Sequence, residues 1–287
     1  MEVLTQSLEG LTTEALMQEV ESLRTKVTSL EKVENEAQLK DLFISIASHE
    51  LRTPLTSIKG YSQLLQRNLK KRLVLEAESS DPSRRDVLER DTRAITAILD
   101  QTGLMAELIS EMLDYSKVQT GKLELHCAEG VDIKALVKRV VQRQQDNVVD
   151  HSFIFQTDDT SMVCDCDTVR IEQVLNNLLG NAAKYSQPGK PIMVSAEARH
   201  DDQTLGQGEA PNEVVIRVQD EGIGIGPEQQ ERIFDTFYRV HSPRNSEVDG
   251  LGLGLFISRE IVNKHGGKMW LQSQPDVGST FYFSLPI

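Results

Sequence analysis

Apolar residues in the first part of the chain recur at alternating spacings of three and four positions, the period of one helix face. The first run of this kind is made by Leu16, Val20, Leu23, Val27 and Leu30. Because it lasts only about two heptads, it predicts either a short coiled-coil stem between two copies or a single amphipathic helix. We interpret residues 1–38 as an N-terminal helix of this type.

The next two apolar runs indicate a pair of long helices separated by a turn. The first run extends over about residues 37–75 and the second over about 86–118, with the turn-rich sequence 78–83 between them. The expected buried positions are Ile44, Ala47, Leu51, Leu55, Ile58 and Leu65 in the first helix and Ile95, Ile98, Leu99, Met105, Leu108, Ile109, Met112 and Leu113 in the second. Helices joined in this way form an antiparallel hairpin, which buries its apolar stripe poorly when alone. Residues 39–120 are therefore predicted to pair with a second copy as a four-helix bundle.

The pattern changes after Gly121, where short β-like runs alternate with helical segments. The predicted strands lie at 153–155, 192–194, 214–218, 268–271 and 281–283, and the helices lie near 132–146, 167–185, 228–234 and 254–265. This mixture predicts an α/β layered domain over residues 121–287. Residues 201–213 are polar and are interpreted as a hairpin insertion.

Composition and charge narrow the class of partner. The chain has 287 residues, with 44 acidic and 31 basic side chains and a net charge of -13. Proteins whose main partner is nucleic acid concentrate positive charge, so the sequence argues against that class. No stretch reaches the ~20 consecutive apolar residues that cross a bilayer. We expect a cytoplasmic protein with no membrane segment in this chain.

A histidine beside a carboxylate is the first candidate for chemistry. His49 lies where one helix face changes from apolar to polar, so its ring is expected to project into solvent. Glu50 can accept a proton from one ring nitrogen, which makes the other nitrogen more nucleophilic. Thr53 lies one turn further along the helix, near enough to orient a water molecule. The sequence thus predicts a nucleophilic histidine on an exposed helix.

A second candidate site lies on the helix predicted at 167–185. Asn177, Asn181 and Lys184 are four and three positions apart, so they can share one helix face. An amide oxygen is a suitable ligand for Mg²⁺, which prefers oxygen atoms, and a lysine neutralises phosphate charge. Tyr185 offers a ring that can pack on adenine. The alternative interpretation, a buried helix with leucines in the core, applies to another face of the same segment.

Two glycine-rich segments complete the argument for a nucleotide. The glycines are Gly222 and Gly224 in the first segment and Gly250, Gly252 and Gly254 in the second. Asp220, at the end of a predicted strand, can accept a hydrogen bond from an exocyclic amine and so select adenine. The second segment precedes a helix, whose free N–H groups favour phosphate. The first segment has neither the spacing of a dinucleotide-binding fingerprint nor the Gly-Lys-Ser/Thr of a P-loop. The polar stretch 240–250 is interpreted as a lid over the nucleotide.

In these segments and in their order, the chain resembles the histidine kinases of two-component signalling. The segment from Phe43 to Leu55 is similar, almost residue for residue, to the phosphoacceptor box of that family, and the resemblance extends to Ile287. It implies that His49 is phosphorylated with Glu50 as its base. It also implies that Thr53 positions water when the protein dephosphorylates its partner.

The resemblance implies the composition of the nucleotide site as well. Asn181 would hold Mg²⁺ and Asp220 would read adenine. The other implied nucleotide-binding residues are Asn177, Lys184, Tyr185, Gly222, Gly224, Arg239, Arg244, Gly250, Gly252, Gly254 and Thr280. Ser279 competes with Thr280 for the support of the adenine-reading acid. Phe234 and Phe237 would form the hinge of the lid.

From this resemblance we expect a dimeric helical hairpin followed by an α/β sandwich of the Bergerat type, which gyrase, Hsp90 and histidine kinases share. The expected activity is autophosphorylation of His49 from ATP with Mg²⁺. The phosphoryl group would then pass to an aspartate in the receiver domain of a response regulator, which the homodimer would also dephosphorylate. Two other classes stay open: an ATP-driven conformational clamp that does not phosphorylate itself, and a catalytically silent scaffold.

Overall fold

The structure is a computed structural model that describes residues 17–18, 20–24, 26–27, 47, 50–68, 84–158, 160–199, 212–240 and 250–287. His49, Arg244, the two end residues Leu16 and Leu30 of the predicted seam, and the 78–83 turn lie outside the described residues. The chain divides into two compact units, Met1–Thr53 and Pro54–Ile287. None of the helices within the described ranges has the length and apolar character that a bilayer-spanning segment needs.

The described residues of the first unit are all helical. Three of them, Val20, Leu23 and Val27, belong to the predicted seam and are exposed by 48%, 51% and 52%. Large apolar side chains at this spacing gain stability only when another surface covers them. The exposure therefore fits the seam of a coiled-coil stem, and pairing with a second copy stays a prediction.

The second unit begins with a helical hairpin. Helix α1 covers residues 54–68 and helix α2 covers Arg84–Gln119. Near the turn, the Asn68 side-chain amide donates a 3.0 Å hydrogen bond to the Asp91 carboxylate, which is buried. Because Asn68 is the last described residue of α1 and Asp91 lies in the third turn of α2, this bond joins the two helices of the hairpin. The predicted pair of helices is confirmed.

The apolar positions of the hairpin are less buried than the sequence predicts. The large apolar side chains that remain exposed on α1 and α2 are Leu55, Tyr61, Leu64, Ile95, Leu99, Ile109 and Leu113. Leu55 was expected in the buried stripe and is 56% exposed, while Leu99 is 65% exposed. The physical reason is that two helices bury only the stripes that face each other. A second apolar stripe is left on the surface of the single chain.

The rest of the second unit is an α/β domain. Its strands are β1 (Ala128–Asp132), β2 (Phe153–Thr157), β3 (Val163–Cys166), β4 (Ile192–Arg199), β5 (Glu213–Gln219), β6 (Met269–Gln274) and β7 (Gly278–Pro286). Its helices are α3 (Ile133–Asn147), α4 (Thr168–Tyr185), α5 (Pro227–Gln230), a 3-10 turn (Arg232–Phe234) and α6 (Gly254–Lys264). The strands β2-β4-β5-β7-β6 form a five-stranded sheet in which only the β2–β4 pair is parallel. The expected helix-plus-α/β fold is confirmed.

The core lies between this sheet and its helices. The buried residues of the sheet face are Ile192, Val194, Ala196, Val214, Ile216, Val218, Phe281, Phe283 and Leu285, and those of the helices include Leu136, Val140, Ile171, Val174, Leu178, Ile257 and Ile261. Each of these side chains apart from Ala196 stabilises the fold by roughly 2 kcal/mol relative to its exposed state. Apolar residues at every second position of the strands and at every third or fourth position of the helices are therefore buried in the same core.

Two details of the α/β domain differ from the sequence prediction or extend it. The antiparallel pair β1–β3 was not predicted, because its strands have only five and four residues and most of β1 is exposed, although Cys164 and Cys166 of β3 are buried. The predicted insertion at 201–213 lies mostly outside the described residues. The two described residues that flank the undescribed part are hydrogen-bonded to each other, with the Asn212 N–H donating to the Arg199 carbonyl at 3.2 Å. The strands on the two sides, β4 and β5, are antiparallel neighbours.

Candidate nucleotide-binding site

One cavity of about 180 Å³ lies within the second unit, beside the ends of α4 and β5 and the beginning of α6. Its lining includes the polar residues Glu111, Asn177, Asn181, Lys184, Tyr185, Asp220, Tyr238, Arg239 and Ser279 and the glycines Gly224, Gly250, Gly252 and Gly254. Apolar walls come from Ile223, Ile225, Ile233, Val240, Leu251, Leu255 and Phe281. Segments more than 140 positions apart in the chain thus meet at one apolar pocket with convergent polar groups, the usual form of a small-molecule site.

Helix α4 presents its amide face to this cavity. The Asn181 side-chain amide donates to Asn177 Oδ1 at 3.3 Å, and the Asn177 amide donates to the buried Ser258 hydroxyl of α6 at 2.9 Å. These two bonds orient both amides and use the nitrogen of Asn181. Its Oδ1 is then the atom that suits a hard cation. The alternative core interpretation also holds for another face of α4, where Leu175 is fully buried.

The carboxylate of Asp220 is held at the floor of the cavity, directly after β5. Asp220 is buried, and its Oδ1 accepts hydrogen bonds from the N–H groups of Gly222 at 2.8 Å and Ser279 at 3.3 Å. Burial raises the pKa of this carboxyl, and the two N–H donors act in the opposite direction. Gly222 does not itself line the cavity, but a Cβ there would lie 2.4 Å from the Tyr185 carbonyl. Because Gly222 has no side chain, the segment that follows β5 can pass close to the end of α4.

Ser279, rather than Thr280, supports Asp220. Besides the N–H contact, the Asp220 N–H donates to the Ser279 carbonyl at 2.9 Å, and Ser279 lines the cavity. Thr280 is the next residue of β7, where successive side chains point to opposite faces of the sheet. It pairs in register with Gln219 and Gln272, and it is not among the residues around the cavity. The expectation for Thr280 is therefore corrected in favour of its neighbour.

Two glycines bring backbone close to the cavity from opposite sides. Gly224 has φ +64°, and a Cβ there would lie 1.9 Å from the Gln274 carbonyl. Gly252 has φ +69°, and a Cβ would lie 2.9 Å from the Tyr238 carbonyl. Residues with a side chain rarely adopt such φ values, and backbone atoms cannot yield. Gly254 opens α6 at the cavity, so N–H groups of a helix start lie at this wall.

Most of the aromatic and basic residues predicted for the site lie at or near the cavity, and one of them, Arg244, lies outside the described residues. Tyr185 and Arg239 both line the cavity. Burial raises the pKa of Tyr185, and the positive charge of Arg239 acts in the opposite direction. Phe234 is buried in the 3-10 turn, and Phe237 adopts φ 63° beside the cavity wall at Gly252, whose carbonyl accepts its N–H at 3.1 Å. Residues 241–249 of the lid predicted at 240–250, including Arg244, lie outside the described residues.

The phosphoacceptor segment belongs to the first unit and is described only in part. Glu50 is half-buried and Thr53 is exposed, both on helical backbone, while His49 lies outside the described residues. The exposure of Thr53 fits a polar face at this end of the helix. The roles of His49, Glu50 and Thr53 stay predictions.

One charged residue of the cavity had no signal in the sequence. Glu111 of α2 is half-buried and lines the cavity together with Lys184. The pKa of this carboxyl is raised to about 7, first by burial and then by the negative charge of Glu107, while the positive charge of Lys184 acts in the opposite direction. Glu111 is not among the residues that the sequence singles out. Its place in the cavity results from the packing of α2 on the α/β domain, which local periodicity does not report.

Two family models match the chain. Residues 39–121 match the His Kinase A (phospho-acceptor) domain, and residues 166–287 match the histidine kinase-, DNA gyrase B- and HSP90-like ATPase domain. Drug sensory protein A of Synechocystis sp. is 32% identical over 282 residues, covering 96% of this chain and 40% of that protein. Sensor histidine kinase WalK of Bacillus subtilis is 31% identical over 261 residues, covering 91% of this chain and 38% of that protein. The chain thus spans about two fifths of the length of these relatives.

Solved structures show the same likeness. The Acinetobacter baumannii histidine kinase AdeS superposes with a TM-score of 0.55 and 25% identity, covering 83% of this chain and 97% of that chain. The histidine kinase ThkA, solved in complex with the response regulator protein TrrA, superposes with a TM-score of 0.55 and 22% identity, covering 97% of this chain and 68% of that chain. The second likeness concerns the fold alone.

Proposed function

The chain belongs to the histidine kinases of two-component signalling, and from this premise we propose that it transfers the γ-phosphoryl group of ATP to its own His49. The observation that carries the proposal is that the amide face of α4, Asp220 and both glycine segments line the same cavity. These are the groups that a triphosphate, a divalent cation and an adenine need, and they meet although they are distant in the chain.

We propose the following roles in binding ATP. Asp220 uses Oδ1 for two backbone donors, so Oδ2 accepts the hydrogen bond from the adenine amino group. The ring of Tyr185 packs on the base. Lys184 and Arg239 contact the phosphates, as do the N–H groups of Gly250, Gly252 and Gly254. Arg244 is a further phosphate contact, proposed from the sequence alone.

The donor set also fits Mg²⁺. This cation keeps several waters and takes phosphate oxygens, so one or two protein oxygens suffice. Asn181 Oδ1 is an oxygen of the right type on a side chain whose nitrogen is already engaged by Asn177. When bound, Mg²⁺ would neutralise phosphate charge in addition to Lys184 and Arg239.

At His49 the reaction is an in-line displacement. One ring nitrogen forms a bond to the γ-phosphorus as the bond to the bridging oxygen of ADP breaks, and ADP leaves with that electron pair. Glu50 accepts the proton from the other ring nitrogen, which keeps the phosphorylated ring neutral. The phosphoryl group then passes to an aspartate of a response regulator. Thr53 orients water for the reverse function, hydrolysis of the regulator's phosphoryl group.

The active form is proposed to be a homodimer that works in the cytoplasm, where ATP is supplied. The exposed apolar stripe on α1 and α2, with Leu55, Leu99 and Leu113 more than half exposed, supports pairing with a second copy. An acidic chain with net charge -13 does not favour nucleic acid as a partner.

The test is labelling of the purified chain with γ-labelled ATP and Mg²⁺. Acid-labile, alkali-stable label is expected on the natural chain and on His126→Gln, a control at an exposed histidine outside the cavity. It is expected to be absent from His49→Gln, while binding of an ATP analogue persists. Equal labelling of His49→Gln would overturn the assignment. Steady hydrolysis of ATP with no retained phosphate would instead support the ATP-driven clamp.

A further inference from the structure

The nucleotide cavity is not built from the α/β domain alone, because the hairpin contributes Glu111 to it. This carboxyl lines the cavity with Asn181, Lys184 and Arg239, the groups proposed for the cation and the phosphates. A carboxylate at that position carries negative charge, as a phosphate does, and it is attracted by Lys184.

Helix α2 is held in this position by a polar contact one turn beyond Glu111. The Nη1 atom of Arg170 donates to both carboxylate oxygens of Asp114 at 2.9 Å, and the Gln173 amide donates to Asp114 Oδ2 at 2.8 Å. Only 7% of the Asp114 side chain and 18% of the Arg170 side chain are exposed. Arg170 and Gln173 lie on α4, so the helix that carries the amide face is tied to the hairpin.

An aromatic contact supports the same arrangement. The ring of Tyr115, which is buried, meets Phe237 edge-on at 5.4 Å between centroids and Phe256 at 6.0 Å. Phe237 precedes the lid predicted at 240–250, and Phe256 lies in the first turn of α6. Glu111 is therefore placed in the cavity by contacts with three of the segments that surround the nucleotide site.

The charges around Glu111 come from both sides. From its own helix Glu107 repels it, and from the α/β domain Lys184 attracts it, while Arg239, Tyr185 and Asp220 line the same cavity. A triphosphate brought next to Lys184 faces a second anion whenever Glu111 is ionised. Two anions within a few ångströms in a partly desolvated site oppose each other strongly.

We propose that Glu111 sets the nucleotide affinity of the site by competing, as a carboxylate, with a nucleotide phosphate for Lys184. The position of α2 that places Glu111 in the cavity then lowers the affinity for the triphosphate, and a bound triphosphate in turn disfavours that position of α2. The hairpin and the nucleotide are thus coupled through one side chain. This inference rests on the proposed function, because it requires that the cavity binds ATP.

The test compares Glu111→Gln with the natural chain at pH 8, using adenosine, ADP and ATP with Mg²⁺ in a displacement titration of a fluorescent ATP analogue. Gln has the shape of Glu without its charge. We expect ATP to bind about tenfold more tightly to Glu111→Gln, ADP to gain less, and adenosine to be unchanged. Glu124→Gln removes the same charge at an exposed position outside the cavity and is expected to match the natural chain.

A second readout is the pH dependence of ATP binding. Between pH 6 and pH 8 the natural chain is expected to lose affinity relative to Glu111→Gln, and the ratio of the two cancels the titration of ATP itself. Unchanged ATP affinity in Glu111→Gln, or an equal gain for adenosine, would overturn the inference. The proposed function would still stand in that case, provided that the natural chain binds ATP. No binding of any nucleotide by either protein would overturn both.

Discussion

Asp114 of the hairpin accepts two hydrogen bonds of 2.9 Å from the same guanidinium nitrogen of Arg170, at the beginning of the helix that carries Asn177 and Asn181. The pair joins two parts of the second unit that are far apart in the sequence. Because both side chains are largely removed from solvent, removing one partner leaves a charge without compensation. The contact therefore determines how firmly the hairpin is held against the nucleotide helix.

Asp114→Ala is expected to lower the free energy of unfolding of the second unit by about 2 to 3 kcal/mol, since Arg170 and Gln173 lose their shared acceptor. Urea unfolding measures this. Arg139→Ala is the matched control: Arg139 pairs with Glu172 on the same domain, but its side chain is 56% exposed, and such pairs contribute less than about 1 kcal/mol. Equal losses in the two variants would contradict the assignment of a buried contact.

The parts of this molecule that the sequence predicts are those decided by local geometry. Asn177, Asn181 and Lys184 fall on one face because a helix repeats every 3.6 residues, and they do line one cavity. Asp220 is predicted because it follows a strand and precedes glycines. These inferences need no knowledge of which segments pack together.

What the sequence does not predict depends on packing between segments. Glu111 enters the cavity only because α2 packs on α4 and α6, and Leu55 is exposed only because a single hairpin has one buried seam. The choice between Ser279 and Thr280 depends on the phase of β7, which a one-residue shift would reverse. None of these can be read from a periodic pattern along one element.

Asp220→Asn tests the adenine contact without removing the side chain. The amide oxygen can still accept from Gly222 and Ser279, while the other position becomes an NH₂ donor that faces the adenine amino group. We expect ATP affinity to fall by about tenfold or more and the preference for ATP over GTP to narrow, as measured by competition titration. Retained discrimination against GTP would show that another group reads the base.

Leu99→Lys tests the proposed homodimer. Leu99 is 65% exposed in the single chain and lies in the apolar stripe of α2. A lysine buried against a second copy would cost at least about 2 kcal/mol per protomer, so light scattering after size exclusion should show a shift toward monomer. Asp100→Lys places the same side chain on the adjacent residue, about 100° around the helix, and should stay dimeric. A dimeric Leu99→Lys would mean that this stripe is not the interface.

The last prediction concerns stability against pH and follows from the same carboxyl that we place in the nucleotide cavity. The pKa of Glu111 is raised from 4.5 to about 7 in the folded protein, chiefly by burial. Below about pH 4.5 the group is neutral in both folded and unfolded chains and costs nothing. Between 4.5 and 7 the unfolded chain releases the proton while the folded chain retains it, so stability falls as pH rises.

Above pH 7 the loss is complete and amounts to at most about 3 kcal/mol at 1.36 kcal/mol per pKa unit. Glu111→Gln cannot ionise, so its thermal midpoint should equal that of the natural chain at pH 4.5 and exceed it by several degrees at pH 8. Glu124→Gln should follow the natural chain at both values. Parallel midpoint curves for Glu111→Gln and the natural chain would show that Glu111 titrates like an exposed acid, and that α2 does not hold it in the cavity in solution.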